Sequence, residues 1–166
     1  MAHFIFSGVF LVWAAFVATR DIRFRRVSNS LVLAGLACGL GGAYLNASPF
    51  GILPKQAMIG LLVGLAVFFP LFLLRVMGAA DVKVFAVIGV WCGPYALLWI
   101  WIVGSLAAGI HALALMLLSR TSIGALWSRD APAMALGRYR ATPYVACLAV
   151  PAAAWVVFLV ATGAVR

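Results

Sequence analysis

Negative charge is nearly missing from this chain. Its 166 residues hold three Asp+Glu, namely Asp21, Asp81 and Asp130, and no Glu. Charged residues of both signs make up 9%, where a soluble domain carries about a quarter. Hydrophobic residues fill the difference at 67%. A soluble domain with an ionic surface is thereby excluded, and lipid is the expected solvent for most side chains. Residues 1–166 are expected to form a single polytopic membrane domain.

Other absences narrow the chemistry. Cys38, Cys92 and Cys147 form no C-x-x-C, which leaves no zinc or redox motif. His3 and His111 have no acid or cysteine at ligand spacing, so neither a metal nor a cofactor is expected. His111 reads as hydrogen-bonded packing within a span. Met1-Ala2-His3 lacks Lys and Arg, unlike the start of a signal peptide. The basic cluster follows the first apolar stretch, as in a retained span with its N-terminus outside.

What is present is a series of apolar runs. The first spans about Phe4 to Thr19 and ends in Arg20-Asp21-Ile22-Arg23-Phe24-Arg25-Arg26. Ser28 or Asn29 is the expected N-cap of the second, about Leu31 to Leu45. The third runs from about Gln56 to Leu74, with Pro70 expected to kink its inner end. Gly35-x-x-x-Gly39 and Gly60-x-x-x-Gly64 mark close packing in these two spans. The run Val82 to Trp91 is too short to cross as a helix before Cys92-Gly93-Pro94 breaks it. It is expected to be a short or partly re-entrant helix buried against the others. The fifth span covers about Tyr95 to Leu118. The segment 119–142 is polar, but Ile123, Leu126, Trp127, Met134 and Leu136 are expected to let part of it lie on the membrane surface, and the sixth span covers about Pro143 to Ala161.

The net charge of +9 does not indicate nucleic acid, because the cations sit in short segments between apolar runs. With the N-terminus outside, cytoplasmic segments hold Arg20, Arg23, Arg25, Arg26, Arg75, Lys83, Arg120, Arg129, Arg138 and Arg140. Lys55 and Arg166 remain outside. That asymmetry predicts an all-α integral membrane protein of about six transmembrane helices, with both termini outside. Membrane lipid is its expected partner, including anionic head groups.

Asp21 ends an inward-running span, and Asp81 follows the next inward-running one. Both acids are therefore expected at one depth on the cytoplasmic side. An ionisable residue at a membrane is a functional candidate by default. Two facing carboxylates cannot both ionise cheaply, so one holds a proton. The ionised one can then take a proton from water, while the other polarises a peptide carbonyl. Gly78 and Ala80 would let a substrate backbone pass close to Asp81. The alternative is a non-enzymatic scaffold or small transporter, with Asp21 a solvated counter-ion among the arginines and Asp81 a loop acid screened by Lys83. In that case the pair would be topological or proton-relay charges. Asp130, beside Arg129, reads as a solvated loop charge. Tyr144 reads as an interfacial anchor that can also line a cleft with the acids.

These residues resemble a family. Asp21-Ile22-Arg23-x-Arg25-Arg26-Val27-x-Asn29 is similar to the first motif of type IV prepilin peptidases. Gly78-Ala79-Ala80-Asp81-Val82-Lys83 resembles their Gly-x-Gly-Asp-x-Lys motif, and Pro143-Tyr144-Val145-Ala146 the start of their last span. Ala80 stands in place of glycine, and Ser28 in place of a common proline. The resemblance implies a GxGD-type aspartyl protease of the bacterial inner membrane, with Asp21 and Asp81 catalytic and Gly78, Ala80 and Lys83 supporting substrate approach. Its substrates would be prepilins or pseudopilins, cut at the cytoplasmic face. Without paired C-x-x-C motifs it looks like the minimal, peptidase-only type serving tight-adherence (Flp-type) pili.

Overall fold

The computed structural model describes residues 1–118 and 143–164, and these contain helices and no strand. The helices are α1 (Ala2–Phe24), α2 (Asn29–Tyr44), α3 (Pro54–Leu73), α4 (Ala79–Leu118) and α5 (Tyr144–Ala161). Four of them, α1, α3, α4 and α5, are long and apolar enough to cross a membrane, while α2 has 16 residues. The segment 119–142, with Asp130, lies outside the described residues.

Local chemistry sets the helix ends. Ser28 caps α2, its hydroxyl accepting the Leu31 N–H at 3.4 Å. Pro54 opens α3, where its missing N–H costs nothing. Gln56 Oε1 accepts the Leu53 N–H at 3.0 Å beside it. α3 then continues through Pro70 to Leu73.

The long α4 is two arms. At Gly93 the backbone takes φ 72°, ψ 174°, outside helical space and in a region that favours glycine. The chain folds back there. Phe68 of α3 stacks on Phe85 at 4.0 Å and also meets Trp101 at 6.1 Å. In a straight helix Phe85 and Trp101 would be about 24 Å apart. The first arm, 79–92, reads as about 21 Å of helix, shorter than a hydrocarbon core of about 30 Å. Its residues Val84 to Cys92 are buried, which matches the short, enclosed helix expected there. Ser48, from the buried stretch 47–49, donates to the Trp91 carbonyl at 3.3 Å and closes over the reversal.

Glycines let the helices touch at the backbone. A Cβ on Gly60 of α3 would collide with the Gly89 carbonyl of α4, and a Cβ on Gly89 with the Gly60 carbonyl. Gly64 meets Ala86 in the same seam. The glycines of α2 serve other partners: Gly35 seats the Trp13 ring of α1, and Gly39 seats Trp91 and Val90 of α4. The main core joins α1, α4 and α5 around Phe10, Trp91, Ile88, Leu148 and Val156.

The same contacts fix the level of the acids. Phe10 and Trp91 lie 5.1 Å apart, centroid to centroid. From there α1 runs about 16 Å to Asp21, and the first arm of α4 runs about 15 Å back to Asp81, toward the same end. The topological expectation of one depth agrees with this packing.

Candidate active site

Asp21 is placed by the period of α1. Ser7, Phe10, Ala14, Val17 and Asp21 recur every three or four residues and form its buried stripe. Asp21 is 6% exposed, while Arg20, Arg23, Arg25 and Arg26 around it are exposed. The carboxylate is thus not a solvated counter-ion. The first span also extends to Phe24, five residues past the expected Thr19, which keeps the acid on the helix.

The partner of Asp21 is a helix end. Its Oδ2 accepts the N–H of Ala146 at 3.0 Å, in the first turn of α5. First-turn N–H groups have no partner within their own helix. Pro143, before α5, supplies no side-chain cap, so α1 caps α5 through Asp21. The positive end of the helix favours the negative charge.

Asp81 occupies the first turn of α4 and is half-buried. Its Oδ2 accepts the N–H of Gly78, just before the helix, at 3.2 Å. This is one half of a capping box. A Cβ on Gly78 would stand 3.2 Å from that same oxygen, close enough that the carboxylate would have to shift by a few tenths of an ångström. Asp21 and Asp81 lie within electrostatic range of each other.

The supporting residues divide. Ala80 lies within the first turn of α4, since residues 79–81 are helical, and it packs partly buried against the core. Lys83 does not screen Asp81. Its Nζ donates to Asn29 Oδ1 at 2.8 Å, which joins the two acid-bearing stretches across 54 residues. Tyr144 packs against α3 and α4. Its hydroxyl is 3.0 Å from Ser105 Oγ, its ring 6.1 Å from Phe68, and the Asp81 charge reaches it. His111 departs from expectation, because both its ring nitrogens are buried without a hydrogen-bond partner among the described residues.

Sequence reasoning missed the Ala146 amide and the Asn29–Lys83 bond. The stripe from Ser7 to Asp21 was the available signal for the first; nothing in one sequence marks the second. A cavity of about 460 Å³ lined by Phe50, Cys92, Gly93 and Trp155 lies at the reversal, away from the acids. Among the described residues no three His, Cys, Asp or Glu side chains gather as a metal site.

No curated protein and no solved structure matches the chain. A model of the type IV leader peptidase family does match, over residues 8–113, a stretch that contains Asp21, Gly78, Ala80, Asp81 and Lys83; the chain belongs to that family.

Proposed function

We propose that the chain is an aspartic endopeptidase that removes the leader from type IV prepilins or pseudopilins at the cytoplasmic face of the bacterial inner membrane. It would cross the membrane about six times, counting the short first arm of α4, with both termini outside. The observation that carries this reading is the convergence of Asp21 and Asp81, from two different helices, at one end of the bundle.

The chemistry needs two carboxyl groups in two states. Asp21, held by the Ala146 N–H at a helix N-terminus, suits the ionised role. It takes a proton from water as the water oxygen attacks the scissile carbonyl carbon. Asp81, protonated, donates to the carbonyl oxygen. Collapse of the resulting gem-diol breaks the C–N bond: one of its hydroxyls returns a proton to Asp81 as the new carbonyl forms, and the proton gathered by Asp21 passes to the leaving amine. Water is the only co-reactant, and both carboxyls regain their starting states.

The test is co-expression with a prepilin that carries a short basic leader, with leader removal read by gel shift. Asp21→Asn and Asp81→Asn should each abolish removal while the protein still inserts. Normal processing by either variant would refute the pair.

A further inference from the structure

Helix α2 touches both acid-bearing helices through side-chain hydrogen bonds at three heights. Trp13 Nε1, two turns before Asp21 on α1, donates to the Leu31 carbonyl at 2.9 Å. Trp91 Nε1, on the first arm of α4, donates to the Gly35 carbonyl at 2.9 Å. At the end nearest the acids, Lys83 Nζ donates to Asn29 Oδ1 at 2.8 Å. Asn29 opens α2 and Lys83 lies two residues past Asp81.

The third bond is the unusual one. The two indole bonds come with packed rings: Trp13 lies over Gly35 and Trp91 over Gly39. They hold the middle of α2 whatever happens at its end. Lys83 and Asn29 are both exposed, so their bond buries no apolar surface. It also sets an ammonium beside the positive end of α2, where a cation is disfavoured. A contact of this kind adds little to stability. Its effect is geometric, because it spans the gap between the turn after Asp21 and the first turn that carries Asp81.

We propose that Lys83 and Asn29 are positioning residues: their hydrogen bond locks the inner end of α2 between the two acid-bearing helices and sets how closely Asp81 is held to Asp21. Neither touches the reacting atoms. The inference rests on the peptidase reading for its effect on rate, and on the fold alone for its effect on spacing.

Both consequences can be measured on the full chain in membranes. For spacing, Asp21→Cys and Asp81→Cys are combined in a background lacking Cys38, Cys92 and Cys147, and joined with a short thiol-reactive cross-linker. Adding Lys83→Met or Asn29→Ala should lower cross-linking several-fold. Asn29→Asp, which keeps an acceptor for Lys83, should leave it unchanged. For rate, Lys83→Met and Asn29→Ala in the otherwise unmodified chain should each lower kcat for prepilin cleavage by about 10- to 100-fold, the scale of a small misplacement of reacting groups. KM should hold, the double variant should be no worse than either single one, and Asn29→Asp should retain kcat. A rise in KM with kcat intact would make Lys83 a substrate contact and overturn the proposal, as would unchanged cross-linking. If cross-linking falls while Asp21→Asn and Asp81→Asn still cleave, the spacing role stands and the aspartic-pair reading fails.

Discussion

The carboxylate of Asp21 and the amide of Ala146 meet at 3.0 Å, and that bond makes the acid both a candidate catalyst and the cap of α5. The two roles separate by substitution. Asp21→Asn removes the charge but keeps an acceptor for the amide. Asp21→Ala removes both and leaves a buried N–H unpaired, at a cost of about 1–3 kcal/mol. Both variants should fail to cleave prepilin, and only Asp21→Ala should lose thermal stability in detergent. Equal stability of the two would show that Asp21 does not cap the helix.

Gly78 and Ala80 make opposite predictions although they flank one turn. Gly78→Ala sets a methyl group 3.2 Å from Asp81 Oδ2 and should shift that carboxylate, lowering the cleavage rate by about tenfold or more. Ala80→Gly alters no contact to the acid. It costs up to about 1 kcal/mol of helix stability and should leave the rate per inserted enzyme near that of the unmodified chain. Initial rates normalised to inserted protein decide the matter. A normal rate for Gly78→Ala would remove this turn from the positioning of Asp81.

The proposed orientation has its own check. In a background lacking the three native cysteines, Arg25→Cys and Lys55→Cys each place an exposed thiol at opposite ends of the bundle. A membrane-impermeant thiol reagent added to intact cells should label Lys55→Cys alone. Labelling of Arg25→Cys from outside would put the acids on the other face.

The two acids and their common level were legible because helix period and charge asymmetry are properties of the linear chain. The break at Cys92-Gly93-Pro94 was legible for the same reason, since Gly and Pro act locally. The burial of Asp21 was harder to see. Four nearby arginines argue for a solvated charge, and the stripe from Ser7 to Asp21 outweighs them only when α1 is carried on to Phe24. Packing partners were least legible. Gly35-x-x-x-Gly39 and Gly60-x-x-x-Gly64 look alike, yet the first seats Trp13 and Trp91 rings and the second meets the backbone of α4. A small residue announces a close approach and not what approaches. The Asn29–Lys83 bond joins residues 54 apart and depends on the whole arrangement of α2.

The seam between α3 and the first arm of α4 gives the last prediction. Gly60 and Gly89 face each other so closely that either Cβ would enter the other residue's carbonyl group. The obstacle is backbone, which no rotamer change can clear, so the helices themselves would have to separate. Gly60→Ala should therefore destabilise the bundle by about 1–3 kcal/mol, the usual cost of overpacking. Because this seam carries the arm that holds Asp81, cleavage should fall as well. Gly8→Ala is the matched control. Gly8 lies within α1, and a Cβ there meets nothing within 4 Å. Its only effect should be a gain in helix stability of about 0.5–1 kcal/mol. Thermal unfolding in detergent, read by retained cleavage activity and by gel mobility, should rank Gly8→Ala at or above the unmodified chain and Gly60→Ala clearly below it. If Gly60→Ala unfolds with the unmodified chain, α3 and α4 do not meet at the backbone, and the seam that positions Asp81 would have to be redrawn.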